Sequence, residues 1–195
     1  AWTTPDGQQH EKLLTPIQRE YNIQHINGLP PKMVTPPESV LQRIRRDSAI
    51  VRAARQPVNH YDDVFGTYIW PAEGVITGVY GSQRVLNGEP KRPHFGIDLA
   101  APTGTPVYAP AGGVITMAED DLYYSGGTII LDHGAGVFST FLHMSKVEVK
   151  VGERIEQGDK IGEVGATGRS TGPHLDWRIN WLSMRLDPAF LVPAR

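Results

Sequence analysis

The sequence predicts a mainly β protein, with a compact antiparallel β-sheet domain over residues 68–195 preceded by an extended arm and one α-helix within residues 1–67. Three observations lead there. From Tyr68 onward short β-type runs are bounded by glycine, among them Gly74 to Tyr80, Gly113 to Met117, Thr128 to Leu131, Val137 to Leu142 and Val147 to Val151. Regular punctuation by Gly152, Gly158, Gly162, Gly165 and Gly168 marks tight turns. Helical spacing occurs in one place, where Val40, Leu41, Ile44 and Val51 recur on one side and Arg43, Arg45, Arg46 and Asp47 cover the other.

In chain order, residues 1 to 34 are polar and rich in Pro and Gly. Their one alternating run, Tyr21 to Ile26, stops at Gly28-Leu29-Pro30-Pro31 and reads as a lone strand in an arm. Thr35-Pro36-Pro37-Glu38 then offers an N-cap, a proline at the first helical position and a glutamate three residues after the cap. A helix near 36–56 is expected, ending near Gln56-Pro57. The β domain follows without a fixed-period repeat.

Composition narrows the function classes. At 195 residues the chain holds one domain and an appendage. Hydrophobic residues at 39% and charged residues at 21% are ordinary, and no apolar run approaches the roughly 20 residues of a membrane span. A net charge of -2 with no basic cluster argues against nucleic acid as a partner. With no cysteine, disulfides and thiolate chemistry are excluded, so a metal must be held by imidazole and carboxylate. The start at Ala1-Trp2-Thr3-Thr4-Pro5, without an initiator Met, fits an exported chain lacking its signal.

The chemistry-bearing residues cluster between His94 and Asp176. His94 and Asp98 stand four apart across Gly96, and in Gly172-Pro173-His174-Leu175-Asp176-Trp177 the alternation puts His174 and Asp176 on one face of a strand. His143 sits in the apolar run Phe141-Leu142-His143-Met144. Burying such groups is costly unless they pair or coordinate a cation, and zinc at about 2.0 to 2.2 Å suits these donors. Taken singly, each has a plainer reading. His94 fits a surface loop, Asp98 a turn cap, His143 a core histidine, and Asp176 a partner for Arg178.

Taken in order, they resemble the lysostaphin-type, or LytM-type, zinc metalloendopeptidases that cut peptidoglycan. The similarity is carried by His94-Phe95-Gly96-Ile97-Asp98 with Leu99 to Val107, by Leu142-His143-Met144-Ser145, by Val151-Gly152-Glu153 and Gly158 to Gly162, and by Gly168 to Leu175. The resemblance covers roughly residues 68 to 190. It implies a mainly antiparallel fold with a long open groove, one zinc per chain, peptidoglycan peptides as substrate, and a periplasmic or otherwise exported location.

Position by position, it makes His94 and Asp98 zinc ligands and His143 and His174 catalytic residues beside the metal. The third ligand departs from the family pattern, because Asp176 stands where a second histidine of His-x-His is usual. A carboxylate oxygen lies two bonds from Cβ, as does imidazole Nδ1, so an altered site is expected and not a lost one. The implied mechanism uses zinc to polarise the scissile carbonyl and acidify water, with His143 acting on that water and His174 on the oxyanion or leaving amine. The two roles are interchangeable at this level. Arg84 and Asn87, in the polar loop before His94, are candidate substrate contacts or simply a solvated loop. His133 carries no assigned chemistry, and Trp177 and Trp181 are expected to pack the core. Two other functions compete. One is a catalytically degenerate LytM-type domain that binds and activates other hydrolases; the other is a sugar-system phosphocarrier, which would lack the His-x-x-x-Asp pair.

Overall fold

The computed structural model describes residues 1–56 and 58–195. At its centre lies an antiparallel sheet of eight strands. Seven run in the order Arg154–Ile155, Gly113–Leu122, Gly126–Gly134, Val137–Met144, His174–Trp181, Ile97–Ala100, Val75–Gly78, and Met184–Leu186 folds back on His174–Trp181. A three-stranded sheet of Lys146–Val147, Lys160–Glu163 and Pro106–Tyr108 packs on one face.

Period-two alternation divides the large sheet into a core face and a second face. Leu175, Trp177 and Ile179 are fully buried in the core with Ile97, Leu99, Val107 and Ile161. Their neighbours His174, Asp176, Arg178 and Asn180 project from the opposite side of the same strand, and Asp98 does so from the adjacent one. One end of that second face is covered by the helix Glu38–Ala53. Ile50 and Val51 pack there on Met117, Ile130 and Phe138. The helix is therefore one wall of the groove that the polar side chains line.

The structure corrects several local expectations. The helix begins at Glu38 with Pro37 at the cap position and no side-chain cap bond, while Thr35 ends a short helix, Pro31–Val34, and donates its hydroxyl to Glu89 at 2.9 Å. The prolines rigidify this entry, leaving the threonine hydroxyl free to bond elsewhere. The helix ends at Ala53; of the expected terminus near Gln56-Pro57, Pro57 lies outside the described residues. Asp47 does not cover a solvated side. It is buried and accepts the Tyr123 backbone N–H at 2.8 Å, anchoring the helix to the Gly113–Leu122 hairpin.

Nor is the arm strand alone. Ile23–Ile26 pairs in parallel with Gln83–Leu86, giving its backbone groups a partner that local sequence does not reveal. Of the expected Val147–Val151 run only Val147 is in a strand, the short Lys146–Val147. Trp181 is 50% exposed, in contrast to the fully buried Trp177.

Candidate metal centre

Each side chain of the centre is placed by a definable backbone feature. His94 precedes the strand Ile97–Ala100, tied by its N–H to the Ser82 carbonyl at 2.8 Å and by its carbonyl to the Gly81 N–H at 2.7 Å. Two residues later Gly96 lets the neighbouring strand approach, since a Cβ there would lie 2.6 Å from Asp176 Oδ1. Asp98 and Asp176 then face each other as cross-strand partners. Two like charges at that register repel unless something lies between or beside them.

Two kinds of neighbour answer that repulsion. Arg178 grips Asp176 with both arms, Nε to Oδ1 at 2.9 Å and Nη2 to Oδ2 at 2.5 Å, and Arg84 is ion-paired to Asp98. The other is an arrangement of donors that nothing in the protein uses. Both ring nitrogens of buried His94 and Asp98 Oδ1 have no hydrogen-bond partner among the described residues, although His94 Nε2 is 3.1 Å from Asp98 Oδ1. One donor atom from each of His94, Asp98 and Asp176 lies within 4.8 Å of the others. Unpartnered buried nitrogen and oxygen atoms converging on one point fit a divalent cation with N and O preference, and a zinc ion matches the donor set. Each carboxylate oxygen has two lone pairs, so the arginine contacts leave the same oxygens able to coordinate.

The electrostatics agree. Burial and Asp176 push the Asp98 carboxyl up, but His94 and Arg84 outweigh them and hold it below its usual range. Burial likewise raises Asp176, and Arg178 with His94 and His143 overcomes it, keeping this carboxylate ionised.

Two further histidines stand beside this centre with their rings 4.7 Å apart. His143 has a positive φ of 65°, which lets a residue in the Val137–Met144 strand turn its ring toward the groove; a non-glycine residue there stores about 1–3 kcal/mol of strain. His143 Nδ1 bonds the Thr167 carbonyl and His174 Nδ1 the Gly172 carbonyl, both at 2.8 Å. A carbonyl only accepts, so each Nδ1 carries the proton and each Nε2 is a free lone pair. Burial pushes His143 down to about 4, so its ring is neutral at neutral pH. His174 Nε2 is 3.9 Å from Asp98 Oδ1.

With this geometry in hand, the relationships of the chain are direct. Residues 92–188 match peptidase family M23. This chain carries an M23 peptidase domain. It is similar to the peptidoglycan DD-endopeptidase ShyA of Vibrio cholerae, 42% identical over 87 residues, which are 45% of this chain and 20% of that protein. Among solved structures it is similar to an M23 peptidase of Pseudomonas aeruginosa, with TM-score 0.70 and 36% identity over 79% of this chain and 62% of the other. A zinc-containing peptidase from Vibrio cholerae aligns with TM-score 0.58 and 30% identity, over 63% of this chain and 39% of that one. The chain thus spans about a fifth of the length of ShyA.

Within the M23 domain, the residues expected from sequence are brought together with one exception. His94, Asp98, Asp176, His143 and His174 share one centre, and Arg84 lines the adjoining groove of about 810 Å³. Asn87 lies outside that groove, its side-chain amide pairing with the Leu29 backbone: Oδ1 accepts the Leu29 N–H at 3.2 Å and Nδ2 donates to the Leu29 carbonyl at 2.7 Å. It fastens the arm to the loop. Arg178 has a larger part than sequence assigned it, and its position two residues after Asp176 on a strand was the available signal. Arg55, Arg169 and Arg185 also reach the groove region; Arg169 lies within the Gly168 to Leu175 motif, and nothing in the local sequence marks the other two.

Proposed function

We propose that this chain is a zinc-dependent peptidoglycan endopeptidase of the cell envelope, acting on D-Ala to diaminopimelate cross-links with His94, Asp98 and Asp176 as metal ligands. One observation carries the reading. Buried, unpartnered donor atoms of His94 and Asp98 converge with Asp176 beside two histidines whose Nε2 atoms are free. When bound, zinc supplies a Lewis acid that polarises a carbonyl and acidifies water.

The chain's own groups do the rest. His143, neutral and held by Thr167, accepts the proton of the attacking water at Nε2. His174, its Nδ1 held by the Gly172 carbonyl, points Nε2 to within 3.9 Å of Asp98 Oδ1, beside the metal centre, where it faces the oxyanion or the leaving amine. Arg178 neutralises the additional carboxylate that Asp176 brings, so the protein charge around the metal stays close to that of a set with one carboxylate and two histidines. Among the described residues no helix is long and apolar enough to cross a membrane. The similarity to ShyA supports peptidoglycan as substrate, and a peptidoglycan substrate calls for action at the cell envelope.

The test is mass analysis of muropeptides after incubation of peptidoglycan with zinc-reconstituted protein. Release of uncrosslinked monomers from dimers is the expected result. Cutting confined to glycine bridges, or between sugar and stem, overturns the substrate. Intact dimers with full zinc content overturn the activity.

A further inference from the structure

Beside the metal centre, on the side of the helix Glu38–Ala53, lies a second cavity of about 440 Å³ that shares its wall with the main groove. Five arginines line it, Arg55, Arg84, Arg169, Arg178 and Arg185. Arg84 and Arg178 are neutralised by Asp98 and Asp176. The other three have no carboxylate partner among the described residues. Arg55 donates to the Thr140 hydroxyl at 2.6 Å, and its buried Nε has no hydrogen-bond partner. Arg169 lies over the Tyr124 ring at 4.6 Å, and Arg185 over Phe95 at 4.3 Å.

This is an unusual use of charge. Burial, then Arg178 and Arg185, push the Arg55 guanidinium down to about 10. Like charges gathered round one cavity repel one another, and a buried guanidinium N–H without an acceptor is costly. The aromatic faces hold Arg169 and Arg185 in place while leaving their N–H edges unengaged by carboxylate. An anion with planar, paired oxygens relieves both costs, because a carboxylate accepts two parallel guanidinium N–H bonds.

We propose that this arginine-lined cavity is a subsite for a free carboxylate of the substrate, on the leaving-amine side of the scissile bond. In a D-Ala to diaminopimelate cross-link, the carbon bearing the scissile nitrogen also bears a free carboxylate, so the group to be recognised lies one carbon beyond the bond that is cut. The cavity adjoins Asp176 and His143, as such a short reach requires. The subsite rests on the endopeptidase reading for the identity of its ligand, and its occupation needs no turnover.

The test uses the zinc-loaded full chain and an uncleavable probe, the tripeptide L-Ala-γ-D-Glu-meso-diaminopimelate, with the D-centre carboxylate either free or amidated. Calorimetric titration is expected to give about tenfold tighter binding of the free acid. That preference is expected to vanish in Arg185→Gln, on the exposed strand Met184–Leu186, and in Arg55→Gln. Equal binding of acid and amide by the unmodified chain, or an undiminished preference in both variants, overturns the subsite. A preference in a chain that cuts no cross-link keeps the subsite and removes the endopeptidase reading. Equal cleavage of acid and amide cross-links with no binding preference removes the subsite alone.

Discussion

His133 and His143 lie on neighbouring strands of one sheet, both buried and both pushed by burial down to about 4, yet their nitrogens are engaged differently. His133 uses both, Nδ1 with the Gly112 carbonyl at 2.6 Å and Nε2 with the Ser139 hydroxyl at 2.7 Å. His143 uses one and leaves the other facing the groove, His174 does the same, and His94 uses neither. A histidine satisfied on both sides is a structural strut, and a half-satisfied one is an instrument. Burial alone does not separate them; the count of engaged nitrogens does.

The sharpest way to break this contrast is at His94. His94→Ala is expected to lose bound zinc and with it all measurable hydrolysis, whereas His133→Ala keeps one zinc per chain by elemental analysis. Full zinc content in His94→Ala would take this residue out of the donor set. Asp176→Ala is expected to behave as His94→Ala does, and retention of zinc there would leave Asp176 as no more than the partner of Arg178.

Next in size are His143→Ala and His174→Ala. Each is expected to keep its zinc and lose about 100- to 10,000-fold in turnover. Wild-type turnover in either, measured on purified cross-linked muropeptide dimers, contradicts its role. His133→Ala shows the reverse pattern, near-normal turnover per folded molecule and a stability loss of about 2–4 kcal/mol in denaturant unfolding, because the Gly112 carbonyl and Ser139 hydroxyl lose their partner.

His133 also fixes a pH dependence. Its folded pKa, about 4, lies below the ordinary 6.5, so between those values the unfolded chain binds the additional proton. The stability it contributes is complete above about pH 6.5 and falls by about 3 kcal/mol as the pH drops to 4. The difference in unfolding free energy between the unmodified chain and His133→Ala is expected to shrink over that window. A constant difference from pH 7 to 4 would show that His133 is not buried as a neutral ring.

The smallest effect expected concerns the unusual ligand. Asp176→His removes a negative charge from the metal's donors and leaves Arg178 without its carboxylate, and both changes favour ionisation of bound water. The acidic limb of the pH–rate profile is expected to move down in a fully metallated variant, and an unmoved limb rejects this electrostatic account.

Much of this was legible in the chain itself. Glycine-bounded β runs announced an antiparallel domain, and alternation alone put His174 and Asp176 on one strand face, because side chains in a strand change sides at every residue. The absence of cysteine limited any metal to imidazole and carboxylate donors, and the order His94, Asp98, His143, His174 identified the family that the comparisons then supported. These are properties of neighbours in sequence or of a short motif, and no long-range contact is needed to state them.

Tertiary structure decided the rest. Pairing of Asp176 with Asp98 across strands 78 residues apart in number created the repulsion that Arg178 and Arg84 answer. The half-engagement of His143 depends on a positive φ and on the Thr167 carbonyl from a distant loop. The arginine cavity exists only because a helix from residues 38–53 lies across the polar face of a sheet built from residues beyond 75, setting Arg55 against Arg178 and Arg185. Coulomb and hydrogen-bond interactions act over a few ångströms of space, and separation along the chain says nothing about that distance until the fold has closed it.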